Sequence, residues 1–261
     1  MLESLKKKIC LITGARTGIG LSIGQTLAKN GYRVIFSGRS IDDCKDTVNQ
    51  LVTDGFEAVE SPIDLSNLSS LKQETETALS IWGTVDILIN NGAVIEPISL
   101  IEKLDAQNFE TAARINYLAP SLLISYCWSN FVKNRGKVIN ILSGASVNPI
   151  EGWAAYCSTK AALYMINQQT HLEGEKYGIS SIGISPGMVD TEMQNKIRAS
   201  GVNQISKVKK EDLINTKQPG LFALWCASPE ANQFSGEMIS ENDPEVKAKY
   251  QAWIKTQKQE L

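Results

Sequence analysis

The chain has 261 residues, 43% hydrophobic and 21% charged, enough to bury a full α/β core as one domain. A formal charge of −2 gives no electrostatic reason to expect nucleic acid or a membrane surface as a partner. The single histidine, His171, excludes a site built on two imidazoles, and the five cysteines lack the spacing of a zinc cage, so no metal is expected and a reducing cytoplasm is the simplest setting.

Lys6, Lys7 and Lys8 precede only four apolar residues, Ile9–Ile12, which is too short for the core of a signal peptide. No stretch approaches the ~18 apolar residues of a membrane span. Strands are predicted at Ile9–Thr13, Arg33–Ser37, Ala58–Pro62, Val85–Asn90, Val138–Leu142, Ser180–Ser185 and Glu237–Ser240. Each reads as continuously apolar, the pattern of parallel strands covered on both faces. Helices are predicted near 19–30, 41–54, 67–82, 103–133 and 154–177, with Pro120 as the place where the longest breaks. The polar segment from Asp190 to about Leu213 reads as a substrate lid, over about 188–213, or as an ordinary connecting helix. The alternation implies right-handed crossovers and a single-domain, doubly wound, Rossmann-type parallel sheet of about seven strands over 1–261, with helices on both faces.

Between the first strand and helix lies Thr13-Gly14-Ala15-Arg16-Thr17-Gly18-Ile19-Gly20. Glycines let the backbone approach a pyrophosphate, and the helix N-terminus presents free N–H groups to it. At the end of the second strand stands Ser37-Gly38-Arg39-Ser40, without the acid that usually holds a ribose 2′-hydroxyl. Arg39, with Arg16 nearby, suits a 2′-phosphate and so NADP(H); the bland alternative is a solvated surface charge. Asp43 reads as a capping residue for the second helix. Asp64 is open between an adenine contact and a cap for the helix near Asn67, and Asn90-Asn91-Gly92-Ala93 between a close approach to the cofactor and a tight turn.

Tyr156 and Lys160 stand at i and i+4, on one face of one helix. A neighbouring ammonium is expected to lower the phenol's pKa toward the working range for proton transfer to a carbonyl oxygen. Ser143, just past the fifth strand, is placed to donate to that oxygen. Asn116 has poor helix propensity; it is a candidate for holding a proton-relaying water, or simply a polar helix residue. Trp153, one turn before Tyr156, is an aromatic wall or a packing residue.

Gly14-x-x-x-Gly18-x-Gly20, Asn90-Asn91, Asn116, Ser143, Tyr156-x-x-x-Lys160 and Pro186-Gly187 occur in an order and spacing that resembles the short-chain dehydrogenases/reductases over about residues 8–240. Within them, Ser143-Gly144-Ala145-Ser146, Gly152–Lys160 and Ser185–Gln194 look like the NADPH-dependent benzil reductases and sepiapterin-reductase-like carbonyl reductases. The chain departs from the family at Gly92-Ala93, where Ala-Gly is usual, and at Gly236–Asp243, which lacks a closing Asp-Gly-Gly. The resemblance implies Tyr156 as acid/base, Lys160 as its modulator and ribose clamp, Ser143 as carbonyl orienter and Asn116 as water holder. It implies NADP(H) held by Gly14, Arg16, Thr17, Gly18, Ile19, Gly20, Arg39, Asp64, Leu65, Asn91, Gly92, Pro186, Gly187, Val189 and Thr191, Thr191 at the carboxamide. A substrate pocket of Ser143, Ala145, Trp153, Tyr156, Met188 and Met193, with Glu96 near its rim, points to a small apolar ketone or 1,2-dicarbonyl. The long helices at 103–133 and 154–177 are candidates for subunit pairing in a homodimer or homotetramer.

Three rivals are weighed. Gly183-Ile184-Ser185-Pro186-Gly187 fits a hydrolase elbow, but Pro186 lacks the oxyanion N–H and His171 precedes the serine. A non-catalytic NADP(H) sensor would be marked by loss of Tyr156, Lys160 or Ser143, and all three are present. A 3-oxoacyl or other alcohol dehydrogenase remains the enzymatic runner-up.

Overall fold

A computed structural model describes residues 7–257; the termini of the expected 1–261 domain lie outside the described residues. Seven parallel strands form one sheet: β1 (Ile9–Thr13), β2 (Arg33–Ser37), β3 (Ala58–Glu60), β4 (Ile87–Asn90), β5 (Lys137–Ile141), β6 (Ser180–Ile184) and β7 (Met238–Ile239). Their order is β3-β2-β1-β4-β5-β6-β7, so the winding reverses between β1 and β4 and opens a crevice at the carboxyl ends there.

Alternation of side chains divides β1 between two cores. Cys10 and Ile12 face helices α1 (Gly18–Lys29), α2 (Lys45–Thr53), α8 (Lys217–Ala227) and α9 (Pro244–Gln257). Ile9 and Leu11 face α3 (Leu71–Trp82) and α5 (Ala119–Asn134). On that second side also lies α6 (Ala154–Gly174), whose Ile166 packs against the same core. The doubly wound layers expected from the strand-helix rhythm are therefore present.

Several boundaries differ. The second helix begins at Lys45 rather than 41, because Asp42 turns the chain through a left-handed φ of 72°. Asp43 does not cap it; its Oδ2 accepts from the N–H groups of Arg39 and Ser40 and so ties the preceding turn. Nor does Asp64 cap α3, which starts at Leu71; its Oδ1 accepts from the N–H and hydroxyl of Ser66, closing a local turn. The helix expected over 103–133 with a break at Pro120 is a short 3₁₀ turn, then α4 (Ala106–Ala113), a π-turn at Arg114–Leu118, just ahead of the proline, and α5. The π-turn ends two residues before Pro120, whose missing N–H cannot serve the carbonyl of Asn116. Within the polar insert a helix does form, α7 (Glu192–Ser200), followed by 3₁₀ turns at Gln204–Lys207 and Lys210–Asp212.

Candidate active site

A cavity of about 820 Å³ opens at the carboxyl ends of β1, β4, β5 and β6. At its nucleotide end the chain leaves β1 through Gly14, whose φ of +63° is left-handed and whose added Cβ would lie 2.6 Å from the Cα of Gly92. The Asn91 amide fixes this contact by donating to the carbonyls of Thr13 and Gly14, both at 3.0 Å. Thr13 Oγ1 in turn accepts from the N–H groups of Asn91 and Gly92. A Cβ at position 92 would meet Leu65 Cδ1 at 2.5 Å, so glycine packs there without moving that side chain, while Ala93 sits at the cavity wall. The inverted Gly-Ala order is thereby accommodated.

Arg16, Thr17, Gly18, Ile19, Arg39, Asp64 and Leu65 border this end. Helix α1 starts after an extended Thr17 with no side-chain cap and no acid in its first turn. Its free N–H groups and positive dipole end therefore suit a pyrophosphate. Gly20 lies outside the cavity: a Cβ there would meet Asn91 Nδ2 and the Gly14 carbonyl at 2.4 Å, so its glycine serves packing.

At the other end, β5 delivers Ser143 and α6 delivers Tyr156 and Lys160. Ser143 Oγ accepts from the Ala145 N–H at 3.2 Å, which leaves its own proton directed elsewhere. The Lys160 ammonium is buried, 5.7 Å from the Tyr156 ring centre, and donates to the Ile141 carbonyl at 2.7 Å. Burial pushes the Tyr156 phenol up to about 12, against a smaller lowering by a hydrogen bond with Ser143. Burial also brings Lys160 down to about 8. The expected lowering of the phenol by its lysine is not found: desolvation dominates, only the Ser143 bond acts against it, and the tyrosine keeps its proton at neutral pH.

Asn116 lies beneath the cavity and is fully buried. Its Oδ1 accepts from Val94 N–H at 2.8 Å, and its amide donates to the Val94 carbonyl and to Thr159 Oγ1. The side chain is committed to the loop after β4, so only its main-chain carbonyl is left for a water. Trp153 is buried and meets Tyr156 edge to face at 5.7 Å. Ala145, Met193, Pro186, Gly187, Val189 and Thr191 border the cavity, with Met188 half exposed at its rim. Glu96 also borders it and pairs with Lys196 of α7 at 2.6 Å.

The lining residues missed from the sequence include Gln194, Ile197 and Ile205 on α7 and its flank, and Ile95 and Ile150, which pack in the same cluster. An i, i+3, i+4 reading of Met193, Lys196 and Ile197 would have marked the helix. Arg16–Glu192 at 3.7 Å links the start of α7 to the glycine loop, and Asp190–Lys210 at 3.5 Å joins the segments on either side of α7. His171 bonds Ser235 at 3.0 Å, and Ser185 is not among its hydrogen-bond partners.

The model of the family described as short chain dehydrogenase matches residues 8–201. A benzil reductase ((S)-benzoin forming) of Bacillus subtilis (strain 168) is 32% identical over 219 residues, 80% of this chain and 85% of that protein. An uncharacterized oxidoreductase of the same organism is 28% identical over 252 residues, 90% of this chain and 96% of the other. Among solved structures, an actinorhodin polyketide ketoreductase variant with NADPH superposes with a TM-score of 0.81 at 20% identity, over 90% of this chain and 95% of that one. No described helix is long and apolar enough to cross a membrane. The chain is an oxidoreductase that belongs to the short chain dehydrogenase family.

Proposed function

We propose that the protein is an NADPH-dependent carbonyl reductase acting on a small, apolar ketone or 1,2-dicarbonyl in the cytoplasm, as a homodimer or homotetramer. The observation that carries the reading is the meeting of Ser143, Tyr156 and Lys160 in the same cavity as the glycine loop. Gly14, Arg16, Thr17, Gly18 and Ile19 would hold the pyrophosphate, Arg39 the 2′-phosphate, and Asp64 with Leu65 the adenine. Asn91 and Gly92 would pass close to the coenzyme, Lys160 would clamp the nicotinamide ribose, and Pro186, Gly187, Val189 and Thr191 would flank the carboxamide.

When bound, the reduced coenzyme supplies a hydride to the carbonyl carbon. Tyr156, which burial keeps protonated, donates that proton to the carbonyl oxygen. Ser143, its Oγ already accepting from Ala145, turns its hydrogen to the same oxygen. Lys160, anchored on Ile141, offers its remaining protons to the ribose and to the relay that reloads Tyr156 through water at the Asn116 carbonyl. The segment 188–213, carrying α7, covers the substrate.

Tyr156→Phe tests this directly. NADPH-dependent reduction of an aromatic diketone should fall by at least about 100-fold, the scale of one general acid, with NADPH affinity retained. Full activity in that variant would refute the assignment.

A further inference from the structure

We propose that Asn167 is a positioning residue for the reaction: through Asn140 and Ser181 it locks α6 to the sheet in one register, and so fixes where Tyr156 and Lys160 stand. The proposal rests on the carbonyl-reductase reading and adds what holds its catalytic pair in place.

On the side of the sheet that α6 covers, the core is built from apolar groups such as Leu88, Leu123 and Val138. A row of side-chain hydrogen bonds nevertheless crosses it. Asn90 of β4 and Asn140 of β5 are register partners, and the Asn90 amide donates to Asn140 Oδ1 at 2.9 Å. Asn140 donates in turn to Asn167 Oδ1 at 3.0 Å, and the Ser181 hydroxyl of β6 donates to the same oxygen at 2.9 Å. Asn167 completes the row by donating to the Glu237 carbonyl at 3.3 Å. Asn140, Asn167 and Ser181 are 0% exposed and Asn90 is 2% exposed. None of the four borders the cavity, so none touches substrate or coenzyme.

Apolar side chains would fill the same space without desolvating amides, so packing alone does not account for the row. What a directional network adds is a single arrangement, because each donor meets its acceptor only when helix and strands are in one register. Sliding α6 by one residue would carry Asn167 about 1.5 Å along the axis and turn it by about 100°, away from both partners. Lys160 stands seven residues before Asn167, on the same face of α6 and about 10 Å along its axis. Its ammonium donates to the carbonyl of Ile141, the residue after Asn140. Two consecutive residues of β5 therefore hold α6 at two points. At the Lys160 end the Asn116 amide adds a bond to Thr159 Oγ1 at 3.1 Å; at the far end Asn167 is the brace. A catalytic group misplaced by about 1 Å loses on the order of 100-fold in rate, so a brace outside the cavity reaches the chemistry.

The test follows single-turnover oxidation of enzyme-bound NADPH by an aromatic diketone, whose rate constant does not depend on how much of the protein is folded. In Asn167→Leu that rate should fall about 10- to 100-fold, while the diketone concentration for half-saturation changes less than about threefold, since no group in the cavity is altered. A second variant carries Asn90→Val, Asn140→Val, Asn167→Leu and Ser181→Ala together. It replaces the row by apolar groups and leaves none of its members unpaired, so its urea midpoint should lie at or above that of Asn167→Leu. Its hydride-transfer rate should nevertheless stay as low, because stability returns without the register. A rate within about twofold of the wild type in either variant, or a loss confined to half-saturation, overturns the proposal. So does a rate that recovers together with the urea midpoint, or failure of both variants to bind NADPH, which would make the row an element of folding alone. Those outcomes leave the carbonyl-reductase reading standing, because that reading falls only with the Tyr156→Phe experiment.

Discussion

Arg39 and Arg16 both border the nucleotide end of the cavity, but their surroundings give them different work. Arg16 lies 3.7 Å from Glu192, whereas no carboxylate pairs with Arg39 among the described residues. Of the two acids that follow it, Asp42 pairs with Lys45 and Asp43 spends its Oδ2 on the backbone of the same turn. A 2′-phosphate calls for a fork of donors, and Arg39 presents one at this turn. Arg39→Ala should therefore weaken NADPH binding about 10- to 100-fold, the worth of a charge-assisted bond, while NADH binding changes little. Titrating both coenzymes by fluorescence would decide it, and equal losses for the two would assign Arg39 to general electrostatics. At this scale the sequence was informative wherever chemistry depends on residue type. The glycine spacing, the Tyr156/Lys160 pair and Ser143 could all be named before any fold was known. The direction of the Tyr156 shift could not, since it depends on how much water the folded chain excludes.

Among the elements, the interrupted helix between β4 and β5 has the largest consequence for the site. Pro120 leaves the Asn116 carbonyl without its usual donor, and the π-turn that results points the Asn116 side chain at the loop after β4. Two of its three hydrogen bonds pin Val94, on the chain that forms the cavity wall beside Gly92. Asn116→Ala would leave the Val94 N–H and carbonyl unpaired in the interior, so urea unfolding should lose about 2–3 kcal/mol. A loss below about 0.5 kcal/mol, the level of a neutral surface change, would mean that the loop is held by other contacts. Proline marked the break from sequence alone, but the π-turn needed the tertiary partner. Helices α8 and α9 escaped notice for a related reason. α8 is apolar almost all round, including Phe222, Leu224 and Trp225, so it carries no stripe to betray its period; α9 buries only Val246 and Tyr250 fully. Their positions are set by the core of β1, β5 and β6 that they cover.

The molecule as a whole is polar along its strands. Its carboxyl end holds the cavity, and its amino end holds a second set of buried charges that the reaction does not use. There Asp86 accepts from the Ile9 N–H at 2.9 Å, and Lys137, at the start of β5, donates to the carbonyls of Cys226 and Ser228 that end α8. The lysine ties α8 to β5, and burial lowers it to about 8. An unfolded chain restores its ordinary 10.5, so between pH 8 and 10.5 this lysine binds more protons in the unfolded state. Its own contribution to stability rises with pH there, while Cys10, Cys44, Cys127 and Cys226, whose thiols burial raises above 9.0, oppose it above about pH 9. Lys160 contributes in the same sense, and the phenols of Tyr32, Tyr156 and Tyr250, raised by burial, add to the opposition above about pH 10. Lys137→Met isolates one of these groups without touching the cavity. The difference between wild-type and variant unfolding free energies should climb by up to about 3 kcal/mol from pH 8 to 10.5 in urea titrations. The baseline at pH 7 also reports the lost carbonyl contacts, but only the slope reads the buried charge. A pH-independent difference would mean that Lys137 keeps its ordinary affinity for protons, with water reaching the amino end of the sheet.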